Sequence, residues 1–225
     1  MKHIIKSNLY LIFWADKYFG AVVIAMLVAP VIILQGHFSA YAVGLILSVF
    51  FALLKFNSTV SSSRHDKVNA SVPVEKELIV ISRFFTAAIV TDMFTLAAVG
   101  VAVWANTKKV IYDSNKIDLA LRKIVVEIHT PVSGIVAGLI FGILISVIIS
   151  SVYLYLWSKF EHEKYNLYFT MTILICVFAI KPLLEGISDA GISMIWVNLT
   201  LVLIAVPAVW ISLSRSMDAF ENREF

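Results

Sequence analysis

Six apolar runs, separated by short polar stretches, leave this chain few ways to fold. They define candidate spans at 18–36, 38–57, 78–105, 131–158, 165–181 and 191–214. A helix that crosses a bilayer takes about 20 apolar residues, within a range of roughly 17–25. The uninterrupted apolar cores of the first, second and fifth runs are short, so these spans need flanking residues or a thinned bilayer. Pro30 stands near the far end of the first run and Pro207 inside the last. The chain is 60% hydrophobic and only 15% charged, with a mean hydropathy of +0.90. Soluble domains carry about 25% charged residues. The expected fold class is therefore an all-α membrane protein with six transmembrane helices, and residues 1–225 form a single transmembrane domain.

Residues 1–16 place Ile5, Leu9, Ile12 and Phe13 on one helical face, with Lys2, Lys6 and Asn8 largely elsewhere. This run is too short to span, and the pattern predicts an interfacial helix lying along the membrane surface. Asp16 and Lys17 interrupt it, and no small-residue cleavage site follows, which argues against a signal peptide. Orientation follows from the 18 Lys and Arg residues. With the N-terminus inside, Lys2, Lys6, Lys17, Lys55, Arg64, Lys67, Lys76, Arg83, Lys159, Lys164, Arg215 and Arg223 are cytoplasmic. Lys108, Lys109, Lys116, Arg122, Lys123 and Lys181 then lie outside. Positive residues favour the cytoplasm, so both termini are expected there. Five of the six outer positives fall in the 106–129 loop, where Ile117, Leu121, Ile124, Val125 and Ile128 recur at helical spacing. The expectation is an amphipathic helix on the outer membrane surface.

Several intramembrane features invite both structural and functional readings. Gly134, Gly138 and Gly142 share one face of the fourth span. In lipid, small residues let helix backbones approach closely, either within a subunit or between two. Asp92 sits mid-span among Thr86, Thr91 and Thr95. An acid at that depth costs about 2.5–3.5 kcal/mol on insertion scales and is expected to face a bundle interior or an aqueous pathway. It is a pathway candidate or a hydroxyl-bonded structural residue. Lys181, Glu185 and Asp189, beside Pro182, Gly186 and Gly191, read as a solvated turn or the rim of an outer mouth.

The motif absences narrow the chemistry. No GxxxxGK[ST], HExxH, GxSxG or CxxC is present. His3, His37, His65, His129 and His162 show no ligand spacing, and the single cysteine, Cys176, cannot form an internal disulfide. No catalytic, cofactor-binding or metal-binding residue is expected on this chain, and nucleic acid is not an expected partner.

The polar stretch 58–84 is the exception to the apolar pattern. Ser61, Ser62 and Ser63 offer N-cap oxygens to a short helix over 64–70. Pro73 then sets a turn, and Glu75 opens the next helix with acids at its positive end. The cytoplasmic loop 58–77 would thus carry a short charged helix joined to the third span, so that a push on it moves that span.

Its residues resemble a known signature. Asp66-x-x-Asn69-x-Ser71-Val72-Pro73-Val74, then Glu75-Lys76-Glu77-x-Ile79-Val80-x-Ser82-Arg83-Phe84, is similar to the cytoplasmic signature of ABC-2 type transporter permeases. The likeness is to the compact firmicute group that includes bacteriocin and phenol-soluble modulin exporters. Lys159-Phe160-Glu161-His162-Glu163-Lys164 is a second, weaker match. The resemblance implies a type V exporter-like layout and a multi-pass permease of the bacterial plasma membrane. It implies a second permease subunit, identical or paralogous, and two copies of a separate ABC ATPase that binds the ATP and Mg. It assigns ATPase coupling to Arg64, Asp66, Lys67, Asn69, Pro73, Glu75, Lys76, Glu77 and Arg83, with a minor contact at Lys159, Glu161 and Lys164. The implied cargo is an amphipathic peptide or related hydrophobic molecule moved out of the cell. The alternative is a stand-alone transporter, channel or peptide-immunity protein, motivated by Asp92 as a proton carrier.

Overall fold

The computed structural model describes residues 1–13, 17–34, 37–62, 76–107, 110–113, 123–126, 132–160 and 162–222. Among them the order is α1 (Lys2–Phe13), α2 (Phe19–Ile33), α3 (Phe38–Ser62), α4 (Lys76–Thr107), β1 (Val110–Asp113), β2 (Lys123–Val126), α5 (Val132–Lys159), α6 (His162–Asp189) and α7 (Met194–Glu221). Among the described residues, four segments are long and apolar enough to cross a membrane: Ser39–Phe56, Lys76–Ala105, Val132–Lys159 and Met194–Glu221. Helix α2 is apolar but shorter.

Helix α5 is the hub and packs against α3, α4, α6 and α7. Its glycines explain the closeness. A Cβ on Gly142 would stand 3.0 Å from Ala42 Cα and 3.3 Å from Ala42 O, so α3 and α5 touch backbone to backbone there. Gly138 is buried on the same side and Gly134 half-buried. The seam at Gly142 therefore lies within one chain. Polar groups inside the bundle bond mainly to backbone. Thr86, Thr91 and Thr95 donate to the carbonyls of Ser82, Ala87 and Thr91, and Ser151 to that of Val147. A buried hydroxyl in apolar surroundings needs such a partner. Tyr153 donates to Leu53 O at 3.2 Å and Ser212 to Ser151 O, tying α5 to α3 and α7.

The structure corrects several expectations. Helix α3 continues to Ser62, so Ser61 and Ser62 lie in its last turn, and the expected helix over 64–70 lies outside the described residues. From residue 45 to 72 there is no Gly or Pro to stop it. Helix α4 starts at Lys76, next to the opening expected at Glu75, so Lys76 and Glu77, which the loop 58–77 also includes, form the first turn of the rod. Helix α6 runs past Pro182 and Gly186 to Asp189, so Lys181, Glu185 and Asp189 are helical. The turn falls at Gly191, whose φ of +67° suits glycine. Ser193 then caps α7 by accepting from Ile195 N.

The 106–129 loop is not an amphipathic helix where it is described. β1 and β2 pair antiparallel, Val110 opposite Val126 through Asp113 opposite Lys123. Val110, Ile111, Ile124, Val125 and Val126 are β-branched, and stiffness at χ1 favours strands. Ile117, Leu121 and Ile128 lie outside the described residues.

Helix α1 also departs from expectation. Asn8 Nδ2 donates to Thr86 Oγ1 at 3.3 Å, and the ring of Phe13 lies edge-on to Phe94 at 6.1 Å. Asn8 and Ile12 are fully buried. The helix thus climbs along α4 from the level of Thr86 toward that of Phe94, rather than lying flat across the end of the bundle. Phe19, at the start of α2, stacks on Phe51 at 5.7 Å and meets Phe94 at 6.4 Å. The break between α1 and α2 therefore sits partway up the bundle, beside the middle of α3 and α4. Burying Asn8 is tolerable because Thr86 supplies its partner.

Candidate functional site at the arginine end of the bundle

The end of α3, the start of α4, the end of α5, the start of α6 and the end of α7 gather at one pole. Arg83 is its centre, only 2% exposed, two turns into α4. Its guanidinium carbon lies 3.7 Å from the Trp157 ring centroid and 5.0 Å from that of Phe56. Phe220 tilts against Trp157 at 5.0 Å. Trp157, Phe56 and Phe220 are all buried. One cation thereby joins α4 to α3 and α5, and through Trp157 to α7. A desolvated cation over an aromatic face contributes about 2 kcal/mol or more, and the planar guanidinium suits stacking better than an ammonium does.

The charged residues around this cage stay outside. Lys76 and Glu77 are exposed, and Lys76 Nζ donates to Glu221 O at 3.0 Å, placing a positive charge on the carbonyl end of α7. Lys159 is exposed and donates to Tyr155 Oη at 3.2 Å, folding back over Tyr155 and Phe160. Lys164 is exposed on the first turn of α6. Arg64, Asp66, Lys67, Asn69, Pro73, Glu75 and Glu161 lie outside the described residues. The pole thus brings together Arg83, Lys76, Glu77, Lys159 and Lys164 at the place where segment 63–75 leaves α3 and rejoins α4. The aromatic partners of Arg83 escaped the sequence reading, because Trp near a span end also reads as an interfacial anchor.

Asp92 stands elsewhere, and within the single chain it is exposed rather than turned into the bundle interior. The inward face of α4 is taken by Ala87, Val90, Thr91, Phe94, Ala98 and Ala102, all buried. At 3.6 residues per turn Asp92 falls on the opposite side with Phe85, Ala88, Leu96, Val99 and Val103, all exposed. The three threonines near it bond to their own helix, and Asp92 has no hydrogen-bond or ion-pair partner among the described residues. A groove of about 240 Å³ between α4, α5 and α7 is lined by Phe84, Thr91, Ser150, Leu154, Val209 and Leu213, among others, and is nearly wholly apolar. Among the described residues no cluster of three or more His, Cys, Asp or Glu forms a metal site.

The outer faces decide the broad class. Helix α7 exposes Trp196, Leu203 and Trp210, and α6 exposes Ile175 and Phe178. Large contiguous apolar surfaces are rare on soluble monomers and suit contact with lipid. This chain is a multi-pass membrane protein. No protein-family model matches it, and neither a curated protein nor a solved structure does.

Proposed function

We propose that this chain is one permease half of an ATP-driven exporter, in which a separate ATPase docks on segment 58–77 and moves the bundle through α4. The observation that carries the reading is the union of a continuous 32-residue rod with a buried cation at its base. A displacement at Lys76 is transmitted to Arg83, and through its aromatic contacts to α3, α5 and α7. Arg64, Asp66, Lys67, Asn69, Pro73 and Glu75 then supply the docking surface, with Lys159, Glu161 and Lys164 beside it. Helices α2–α7 provide six crossings. Helix α2, rising about 22 Å at 1.5 Å per residue, is short of a ~30 Å core and crosses together with α1 as a broken helix. Both termini face the cytoplasm of a bacterial cell, and the cargo is an amphipathic peptide or similar apolar molecule that enters from the membrane. ATP and Mg belong to the partner ATPase, whose closure would rock the bundles.

The test is co-purification. The tagged protein is expected to bring down an ATPase, and the triple charge reversal Asp66→Lys, Glu75→Lys, Lys76→Glu to lower that yield at least tenfold at equal membrane abundance. An ATPase yield that the reversal leaves unchanged, or no ATPase at all, overturns the reading. The second reading, a stand-alone proton-coupled transporter, draws on the ionisable Asp92. Proton-driven flux in ATPase-free vesicles, lost in Asp92→Asn, would select it.

A further inference from the structure

Asp92 stands beside the apolar groove between α4, α5 and α7. Phe84, Phe85, Ala88 and Thr91 belong to the α4 wall of that groove. Asp92 follows Thr91 directly and lies one turn beyond Ala88 on the same face, which puts it at the rim. The stacking of Arg83 on Trp157 sets a common height for α4 and α5, which run in opposite directions. Seven residues along α4 from Arg83 is Val90, and seven back along α5 from Trp157 is Ser150, so Ser150 stands near the height of Thr91 and Asp92. Ser150 lines the groove and is 6% exposed, and its hydroxyl has no hydrogen-bond partner among the described residues. The groove thus has a polar end at Asp92, Thr91 and Ser150 and an apolar end at Phe84, Leu154 and Leu213. From Phe84 to Thr91 it extends about 10.5 Å along the helix axis. Pockets for drug-sized molecules measure about 300–1,000 Å³, so a groove of about 240 Å³ suits a single alkyl chain rather than a peptide helix. It adjoins a second apolar groove of about 530 Å³ between α5 and α7, which shares Val147, Val209 and Leu213 and offers a side entrance from lipid.

We propose that this groove seats a single-chain amphiphile with a primary ammonium head, the head on Asp92 and the chain running toward Leu154 and Leu213. Charge selects the head group. Asp92 has no hydrogen-bond or ion-pair partner among the described residues, and an acid at membrane depth is kept where it pairs or serves a ligand. An ammonium brings the opposite charge and three N–H donors, and those not used by Asp92 are available to the Ser150 hydroxyl at the same height. A carboxylate on the same chain is repelled, and an alcohol adds no charge. The chain itself contributes fit. Lipid tails are as apolar as the groove, so a chain that leaves them gains packing but no hydrophobic free energy. Selectivity therefore rests on the head. The inference takes from the proposed function only the membrane setting. It holds whether or not an ATPase drives the protein.

The full chain in nanodiscs of zwitterionic phosphatidylcholine is photolabelled with an octylamine that carries a diazirine on its chain, and the labelled peptides are mapped by mass spectrometry. Label is expected on the groove segments 84–91, 147–154 and 209–213. Excess octylamine should suppress it at least tenfold, while octanol and octanoate at equal membrane concentration leave it within twofold. This competition needs no variant. Equal suppression by all three would show a groove open to any chain, and label confined to other segments would place the amine elsewhere; either result overturns the proposal. Asp92→Asn should lower the groove label about tenfold, and Asp92→Glu should keep it within threefold of wild type. Ala88→Phe puts a ring into the groove and leaves the acid in place, and it should lower the label at least fivefold. Both positions are exposed, so neither change is expected to move the unfolding midpoint read on the same samples. Unchanged labelling in Asp92→Asn or in Ala88→Phe sinks the assignment.

Discussion

Gly142→Leu is expected to destabilise the folded bundle by about 3 kcal/mol, the upper end of the usual cost of overpacking. The reason lies in what surrounds the missing side chain. A first carbon at this position meets Ala42 Cα at 3.0 Å, Ala42 O at 3.3 Å and Leu45 Cδ2 at 3.3 Å. Two of the three are backbone atoms of α3, which can retreat only if the whole helix does. Helix α3 is in turn held by Tyr153, whose hydroxyl bonds to Leu53 O, and by the Phe50–Phe169–Tyr153 ring contacts. Gly142→Ala adds a single carbon and recovers about 1 kcal/mol of helix propensity, so its net effect is expected to be small. The contrast is Gly186→Leu, since nothing lies within 4 Å of a Cβ built there. Unfolding midpoints in detergent, read by intrinsic tryptophan fluorescence, should fall steeply for Gly142→Leu and hardly move for Gly186→Leu. Equal midpoints for the two would contradict the close contact of α3 with α5.

Arg83→Ala is the second large effect, expected at about 2–4 kcal/mol from the lost cation–π contacts and the cavity left behind. The burial of the charge itself opposes this, since a guanidinium is costly to desolvate. The net sign follows from Trp157 and Phe56, which are packed against the cation and would face an empty space without it, with Phe220 holding Trp157 from behind. Arg83→Lys keeps the charge but loses the flat stack on Trp157, and an intermediate loss of about 1–2 kcal/mol is expected. The order of stability, wild type above Lys above Ala, can be read from the same fluorescence midpoints. If Arg83→Lys falls as far as Arg83→Ala, the charge over the ring is not what stabilises the pole. Under the proposed coupling, Arg83→Lys also lowers transport while leaving ATPase co-purification intact, because Arg83 is buried and is not part of the docking surface.

Much of the architecture was legible before any coordinates. Runs of apolar residues long enough for a bilayer can become little else, so α3, α4, α5 and α7 appear close to where composition and length put them. Local chemistry also marked Gly142 as a point of close helix approach, because only an absent side chain allows it. Helix ends were harder to read. Pro182 and Gly186 looked like a turn and are carried inside α6, because neighbouring helices can offset what a breaker costs. The 106–129 loop carried a helical spacing of apolar residues, yet Val110–Asp113 and Lys123–Val126 pair as strands, since their β-branched residues favour pairing once a partner strand is close.

Contacts between distant residues were beyond the reach of pattern. Sequence marked Arg83 as a basic residue at a span boundary, and its three aromatic companions come from 27 positions before it to 137 positions after it. No local rule brings Phe56 and Trp157 to one cation and Phe220 to the back of Trp157. The direction of Asp92 is the sharper case. Its depth follows from counting along α4, but the side it faces depends on which helices pack against the rod. Helices α1, α3, α5 and α7 take the other sides, leaving Asp92 outward. Helix identity is written locally in side-chain polarity and length. Which face of each helix is covered is a property of the assembled bundle, decided by how small and large side chains fit together across it.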